Sequence, residues 1–466
     1  MTALWPADYG VADDHCGDVL RGSYEVPWNP DEAPIILDIG ANVGAFAVWA
    51  ANRWPGCKLH CYEPHPKNFH LLQRTIIQAK IHALPHNCAI GAKPGAAKLY
   101  ESPNNCGEHS LKHNFGSGAV AVQVNPPSTL PEADILKIDT EGCEGEILQG
   151  LDELGRLAKF SCVMMETHRL ELRDAIVTLL TGRGFALCNE NKWSEHRSEL
   201  AFMRQDLLDK RPIVWVATPL KQFDAGEITE ENYKKLPEHY RASIGAFSTL
   251  CNQNKLPWRF NLFISSGGSV FHGRAYIVSR FLDSDAEYLF FRDLDLIDDP
   301  TGRDFIEILY KMYMHKVDIC GGLYTTREDG PHCHWILNGC DVAGPLGGWA
   351  LRVMELGTGY KCFRRRVFTT IGERYPWMKC EHDETHLAEW AFFSAGAIRD
   401  DKYFPDKNRF LTEDYWFDHY CRKENFVIVA HVGVKLKHED NGKIYPKEFP
   451  PLPVAEGPFV TTEEKS

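Results

Sequence analysis

Nowhere in the 466-residue chain is there a run of about 18 apolar residues, so no membrane span is predicted. The opening Met1-Thr2-Ala3-Leu4-Trp5-Pro6-Ala7-Asp8 has neither a basic start nor an apolar core and does not read as a signal peptide. The 15 cysteines are odd in number, irregularly spaced and without a Cys-x-x-Cys pair, which argues against a zinc ribbon or a disulfide framework. Several, such as Cys61, Cys162 and Cys320, sit in apolar strand-like contexts and read as buried free thiols of a cytoplasmic protein. Basic clusters are scarce too. Arg364-Arg365-Arg366 is the tightest, a run short enough for a solvated helix end, and the formal net charge is −13. A surface that coats nucleic acid needs grouped Lys and Arg, so that function class is disfavoured. Internal repeats are also missing.

What is present is a soluble-type composition, 44% hydrophobic and 25% charged, in a chain too long for one ordinary core. Strand-like and helix-like runs alternate in both halves, so the expected class is α/β twice over. In the first half the strands fall at about 35–39, 58–63, 82–89, 135–139 and 162–166. In the second they fall at about 213–217, 258–265, 288–293 and 317–321. A polar stretch around Asp206, Asp209 and Lys210 separates the halves. The expected organisation is residues 1–207, residues 208–445, and a Pro-rich, acidic tail over 446–466.

The first half carries Ile36-Leu37-Asp38-Ile39-Gly40-Ala41-Asn42-Val43-Gly44. A glycine turn between a buried strand and a helix lets a ligand approach the backbone near a helix N-terminus. Asp38 would repel a pyrophosphate but attract a cationic ammonium group, which favours S-adenosylmethionine over a dinucleotide. Glu63, at the next strand end, is spaced to accept ribose hydroxyls. Ala89 and Ile90, in Asn87-Cys88-Ala89-Ile90-Gly91, are expected near the adenine. Ile135-Leu136-Lys137-Ile138-Asp139-Thr140-Glu141-Gly142 then places acids at a strand's C-terminal end, where open α/β sheets bind ligands.

These motifs, with Glu63-Pro64 and the upstream Arg21-Gly22-Ser23-Tyr24-Glu25, resemble the FkbM family of S-adenosylmethionine-dependent methyltransferases over about residues 15–203. Thr140-Glu141-Gly142-Cys143-Glu144 departs mildly from the family's usual Val-Glu-Gly-Ala-Glu. The resemblance implies a Rossmann-like class I fold and O-methylation, often of sugar hydroxyls. The cofactor residues expected are Asp38, Gly40, Asn42, Gly44, Glu63, Ala89, Ile90 and Glu141. A sugar hydroxyl is a poor nucleophile and gains from a nearby base. Asp139 is the first candidate, with Glu141 and His168 as alternatives; a lone histidine is otherwise a structural residue.

In the second half, Tyr288-Leu289-Phe290-Phe291-Arg292-Asp293-Leu294-Asp295 is an apolar strand closing on Asp-x-Asp. Strand periodicity would send both carboxylates to one face, where hard oxygens suit Mg²⁺ or Mn²⁺ bridging a nucleotide-sugar diphosphate. With Ile213–Pro219, Gly357-Thr358-Gly359, Glu413-Asp414 and Leu436-Lys437-His438, it resembles a GT-A glycosyltransferase, a Rossmann-like mixed-sheet fold, over about 211–442. That resemblance implies nucleotide-sugar contacts from Thr218, Pro219, Arg274 and Asp293. It implies metal ligation by Asp293, Asp295 and His438, and Asp414 as the acceptor base. Helix capping is the structural alternative for Glu413-Asp414, and a surface position for His438. His332-Cys333-His334 and Cys380-Glu381-His382-Asp383-Glu384-Thr385-His386 lack zinc spacing and read as acceptor loops.

The sequence therefore predicts a bifunctional transferase that adds a sugar and methylates a sugar hydroxyl of a glycan. Modification of a nucleic-acid base, or one active domain joined to a decayed binding module, are the alternatives.

Overall fold

The computed structural model describes residues 24–28, 30, 32–103, 105, 107–192, 194, 197–220, 230–266, 270–325, 337–342, 349–381, 388–398, 409–440 and 443–445. Arg21-Gly22-Ser23, His332-Cys333-His334, His382 to His386 and the 446–466 tail lie outside these residues. The chain divides into two compact units, Met1–Arg211 with Gln253–Pro257, and Pro212–Asn252 with Trp258–Ser466. The short excursion 253–257 is tied to the first unit by Arg211. Its guanidinium donates to the Leu256 carbonyl and to Asn254 Oδ1, both at 2.7 Å. Among the described residues no helix is long and apolar enough to cross a membrane. Cys57, Cys61, Cys88, Cys143, Cys162, Cys188, Cys251, Cys320, Cys362 and Cys421 are buried and outside any disulfide, and Cys380 is exposed.

In chain order the first unit comprises β1 (Ile35–Ile39), α1 (Ala45–Arg53), β2 (Lys58–Tyr62), α2 (Pro66–Ala79), β3 (Ala83–His86), β4 (Ala89–Ile90), β5 (Gly95–Tyr100), β6 (Ala119–Asn125), β7 (Ile135–Ile138), α3 (Glu144–Glu153), β8 (Cys162–Thr167), α4 (Leu170–Gly182), β9 (Phe185–Lys192), β10 (Ser198–Arg204) and α5 (Gln205–Asp209). Seven strands form a sheet in the order β3-β2-β1-β7-β8-β10-β9. The first five are parallel, and β10 runs antiparallel to both its neighbours. This is a Rossmann-like α/β arrangement. β7 and β8 are buried along their whole length, as unbroken apolar runs require when helices cover both faces of a parallel sheet. Phe46, Trp49 and Leu72 fill one face and Ile147, Leu151 and Ile176 the other. Strand order reverses between β1 and β7, which opens a crevice beyond their C-terminal ends.

The strand expected over 82–89 stops at His86. Asn87 turns the chain by donating from Nδ2 to the Glu63 and Pro64 carbonyls, and β4 joins a separate three-stranded sheet, β4-β6-β5.

The second unit comprises β11 (Ile213–Leu220), α6 (Glu230–Lys234), α7 (Glu238–Asn252), β12 (Arg259–Ser266), α8 (Val270–Asp283), β13 (Tyr288–Arg292), β14 (Leu296–Ile297), α9 (Arg303–Met314), β15 (Ile319–Tyr324), β16 (Leu337–Val342), β17 (Ala350–Leu356), β18 (Tyr360–Arg364), α10 (Arg365–Arg374), β19 (Lys379–Glu381), β20 (Ala388–Trp390), β21 (Gly396–Ile398), β22 (Arg409–Leu411), α11 (Glu413–Lys423), β23 (Ile428–Asp440) and β24 (Lys443–Tyr445). Its main sheet is mixed, in the order β12-β11-β13-β18-β15-β23-β17-β16. In the basic run at 364–366, Arg366 is exposed at a helix end as expected, but Arg365 is not solvated. Arg365 donates to the carbonyls of Phe281, Leu282, Ser284 and Ala286, which fastens the start of α10 to the end of α8. Arg366 pairs with Asp318.

Candidate active site

The crevice of the first unit begins at the turn after β1. Gly40 has φ +82°, and its amide and that of Ala41 both donate to the Tyr62 carbonyl, at 2.9 and 3.0 Å. The turn continues through Asn42, also left-handed, to Gly44, which caps α1 and packs against Leu72 and Thr75. Behind this turn sits Glu63. The Asn42 amide donates to its Oε2 at 2.9 Å, and the His65 amide to its Oε1 at 2.8 Å. Burial pushes this carboxyl up to about 7, against the pull of those two amides. Each oxygen keeps a lone pair for a ligand donor.

Gly40, Asn42, Glu63, Ala89, Ile90, Asp139 and Glu141 all line one pocket. Two of the expected cofactor residues do not line it. Gly44 serves the helix cap. Asp38 is fully buried beneath the turn, 3.3 Å from the ammonium of Lys137, so its carboxylate faces Lys137 and not the pocket. Lys137 also donates to the Gly40 carbonyl at 2.8 Å and lies 3.5 Å from Asp139. Burial alone would push its ammonium down, but Asp38 and Asp139 outweigh it and hold the group charged. Lys137 thus fixes the turn from below. A lone lysine inside Ile135-Leu136-Lys137-Ile138 was the sequence signal for it.

Beyond β7 the chain runs through Asp139, Thr140 and the left-handed Glu141 and Gly142. The fully buried Glu144 organises this loop. Its Oε1 accepts from the Thr140 and Gly142 amides, both at 3.0 Å, and from the Thr140 hydroxyl. Glu141 Oε2 lies 3.0 Å from His168 Nε2 at the end of β8. Burial pushes the Glu141 carboxyl up to about 7. Burial pushes His168 down, but Glu141, Glu166 and Asp139 outweigh this and raise the imidazole to about 9. His168 and Glu141 thus face each other as a charge-coupled pair at the end of β8. Asp139 and Glu141 are the groups able to take a proton. Arg197, just before β10, pairs with buried Glu166 and lines the pocket, with no local sequence signal to mark it.

Residues 38–200 match the family model described as "Methyltransferase FkbM domain". The N-terminal half carries an FkbM methyltransferase domain. Methyltransferase sdnD of Sordaria araneosa is 27% identical over 239 residues, covering 42% of this chain and 88% of that protein. The 31-O-demethyl-FK506 methyltransferase FkbM of Streptomyces tacrolimicus is 24% identical over 193 residues, covering 34% and 74%. Hexuronic acid methyltransferase AglP of Haloferax volcanii is 24% identical over 156 residues, covering 32% and 62%.

In the second unit, several expected residues gather and others do not. Arg274, on α8, is 2% exposed and lies between the rings of Phe291 and Phe393. Its guanidinium pairs with Asp414, sits 3.2 Å from Asp293 and 3.8 Å from Glu413. Asp293 is held in turn by its amide, which donates to the Gly359 carbonyl at 2.6 Å. The periodicity argument for Asp293 and Asp295 fails, because β13 ends at Arg292 and both acids lie in the turn leading to β14. His438 is buried on β23, edge-on to the Tyr324 ring and opposite Leu296. Among the described residues, Asp139, Glu141 and His168 are the group of three or more whose ligand atoms converge as a metal site requires; Asp293, Asp295 and His438 do not converge. Thr218 is spent on the core. Its hydroxyl bonds Tyr240 Oη and donates to the Arg292 carbonyl, both at 2.6 Å. Pro219 packs against Gly273 of α8.

Proposed function

We propose that the first unit transfers a methyl group from S-adenosylmethionine to a sugar hydroxyl, in making a methylated glycan in the cytoplasm. The observation that carries this reading is Glu63. Its carboxylate stands at the C-terminal end of β2, fixed by two backbone amides and facing the pocket, as ribose recognition requires. The neighbouring Gly40 turn suits a close backbone approach, and Ala89 and Ile90 supply an apolar surface for a base. When bound, the cofactor supplies an electrophilic methyl on a sulfonium. Asp139 and Glu141, which line the pocket, are the groups this reading uses to orient the acceptor hydroxyl and receive its proton, and alignment accounts for most of the remaining rate. The named activity of AglP on hexuronic acid supports a sugar acceptor. The test is incubation of the full chain with methyl-labelled S-adenosylmethionine and a panel of glycosides, hexuronic acids included. Label in an O-methyl group of a glycoside supports the reading. Label in none of them, with the cofactor bound, refutes the sugar acceptor.

A second reading has one observation in its favour. The buried Arg274, bridging Asp293 and Asp414, is a focused charged cluster at the C-terminal end of a parallel strand of the second unit. On that reading the cluster marks one end of a GT-A-type glycosyltransferase site. Thr218 is spent and His438 stands apart from the acids, so that reading assigns no role to Thr218 and no step to a metal. Thermal shift with a panel of nucleotide-sugars tests it. A shift removed by Arg274→Ala supports it, and no shift with any donor counts against it.

A further inference from the structure

Asp139, Glu141 and His168 each offer a ligand atom, and the three atoms lie within 4.8 Å of one another. We propose that these residues form a divalent-cation site at the junction of the methyl-donor pocket and the groove beside it. The two carboxylates come from the loop after β7 and the imidazole from the end of β8, so three ligands arise from two adjacent strand ends. Protein oxygen and imidazole ligands stand about 2.0–2.2 Å from a first-row divalent ion, which puts neighbouring ligands about 3 Å apart. Glu141 Oε2 and His168 Nε2 are 3.0 Å apart. Nε2 of His168 faces Glu141 Oε2, so an ion seated between them takes the place of their direct contact and of the proton they share.

The surroundings are rich in carboxyl groups. Asp38, Asp139, Glu141, Glu144 and Glu166 converge there, and the basic groups among them are Lys137, Arg197 and His168. Lys137 is committed to Asp38 and the Gly40 carbonyl, and Arg197 to Glu166. A mixed nitrogen and oxygen donor set suits Mn²⁺, Fe²⁺ or Zn²⁺ better than Mg²⁺. The side chains of the three ligands are partly open, 16 to 22% exposed, which leaves coordination positions for an outside oxygen.

Their placement gives the ion a use. Asp139 lines the donor pocket, His168 lines the adjoining groove, and Glu141 lines both. A cation there draws an acceptor hydroxyl oxygen in the groove toward the donor pocket and makes its proton more acidic, the proton passing to the carboxylate oxygen of Asp139 that the ion leaves free. That role rests on the methyltransferase reading; the binding site itself does not.

The test uses the full chain, stripped with chelator and titrated with Mn²⁺ alone and with S-adenosylhomocysteine present. The expected result is one ion per chain at this site, with ¹⁴N modulation from a directly bound imidazole in the pulsed electron paramagnetic resonance spectrum. His168→Ala should abolish the modulation and weaken Mn²⁺ binding at least 30-fold while S-adenosylhomocysteine still binds, and Glu141→Gln should likewise weaken Mn²⁺ binding at least 30-fold. The wild-type spectrum needs no variant to fold. Absence of the imidazole signal in wild type, or binding unchanged in His168→Ala, overturns the site. So does Mn²⁺ binding that is lost on Asp293→Asn instead. Failure of S-adenosylhomocysteine to bind wild type, with the Mn²⁺ signal intact, refutes the methyl-donor reading and leaves the cation site standing.

Discussion

A β-carbon on Gly40 would lie 1.7 Å from the backbone carbonyl oxygen of Asp139. The turn after β1 and the loop after β7 are thus in backbone contact, and both shape the donor pocket. Gly40→Ala brings this clash together with a left-handed φ of +82° that alanine disfavours. The cost expected is about 2–4 kcal/mol in the first unit, with S-adenosylmethionine affinity reduced at least tenfold. Chemical denaturation and calorimetric titration of the variant check both.

Glu63 links donor binding to pH. Its carboxyl is raised to about 7 in the fold, above the ordinary carboxylate range. The folded state therefore holds a proton that the unfolded chain releases, and stability contributed by this group falls as pH rises through that interval. The ionised form is the better acceptor for ribose hydroxyls. S-adenosylmethionine affinity should rise between pH 6 and 8. Glu63→Gln should flatten that rise and remove the accompanying loss of stability, as read by titration and melting across the same range.

Glu144 is buried and holds the amides of Thr140 and Gly142. Glu144→Ala strands those donors in the protein interior, at a cost of about 2–4 kcal/mol. The loop bearing Asp139 and Glu141 should loosen. Methyl-transfer kcat is expected to fall more than cofactor affinity, a split that steady-state kinetics and titration resolve.

Arg274→Ala leaves Asp293, Glu413 and Asp414 facing each other without their cation. The second unit should be destabilised by about 3 kcal/mol, the usual scale for breaking a buried pair. Arg274→Lys should recover only part of this, because one ammonium cannot fork between two carboxylates. S-adenosylmethionine affinity should stay within twofold of wild type in both variants, measured by calorimetry.

The strands were legible in the sequence where apolar residues ran unbroken, as in Ile135–Ile138 and Cys162–Thr167, because burial on both faces leaves no other pattern. Gly40 and Glu63 were legible because each stands at a strand end with a spacing set by the fold. Asp38 and Lys137 show where such reading stops. Strand alternation and motif position name the residues, but only the packed sheet reveals that the acid turns inward to the lysine on its neighbour. Thr218 was misjudged for the same reason, since its partners Tyr240 and Arg292 are distant in sequence. Asp293 and Asp295 were assigned a strand geometry that ends one residue too early. The convergence of Asp139 and Glu141 with His168 depends on β7 and β8 being adjacent, which no local spacing expresses.

The central claim is a methyl-donor pocket in the first unit, gripped by Glu63. Calorimetric titration of S-adenosylmethionine into the full chain, beside Glu63→Ala and Asp295→Ala, tests it most directly. The expected result is one site with a dissociation constant of about 1–100 μM, in the usual range for enzyme substrates. It should weaken at least 50-fold in Glu63→Ala and remain within twofold of wild type in Asp295→Ala. Equal binding by wild type and Glu63→Ala, or loss of binding in Asp295→Ala, would contradict it.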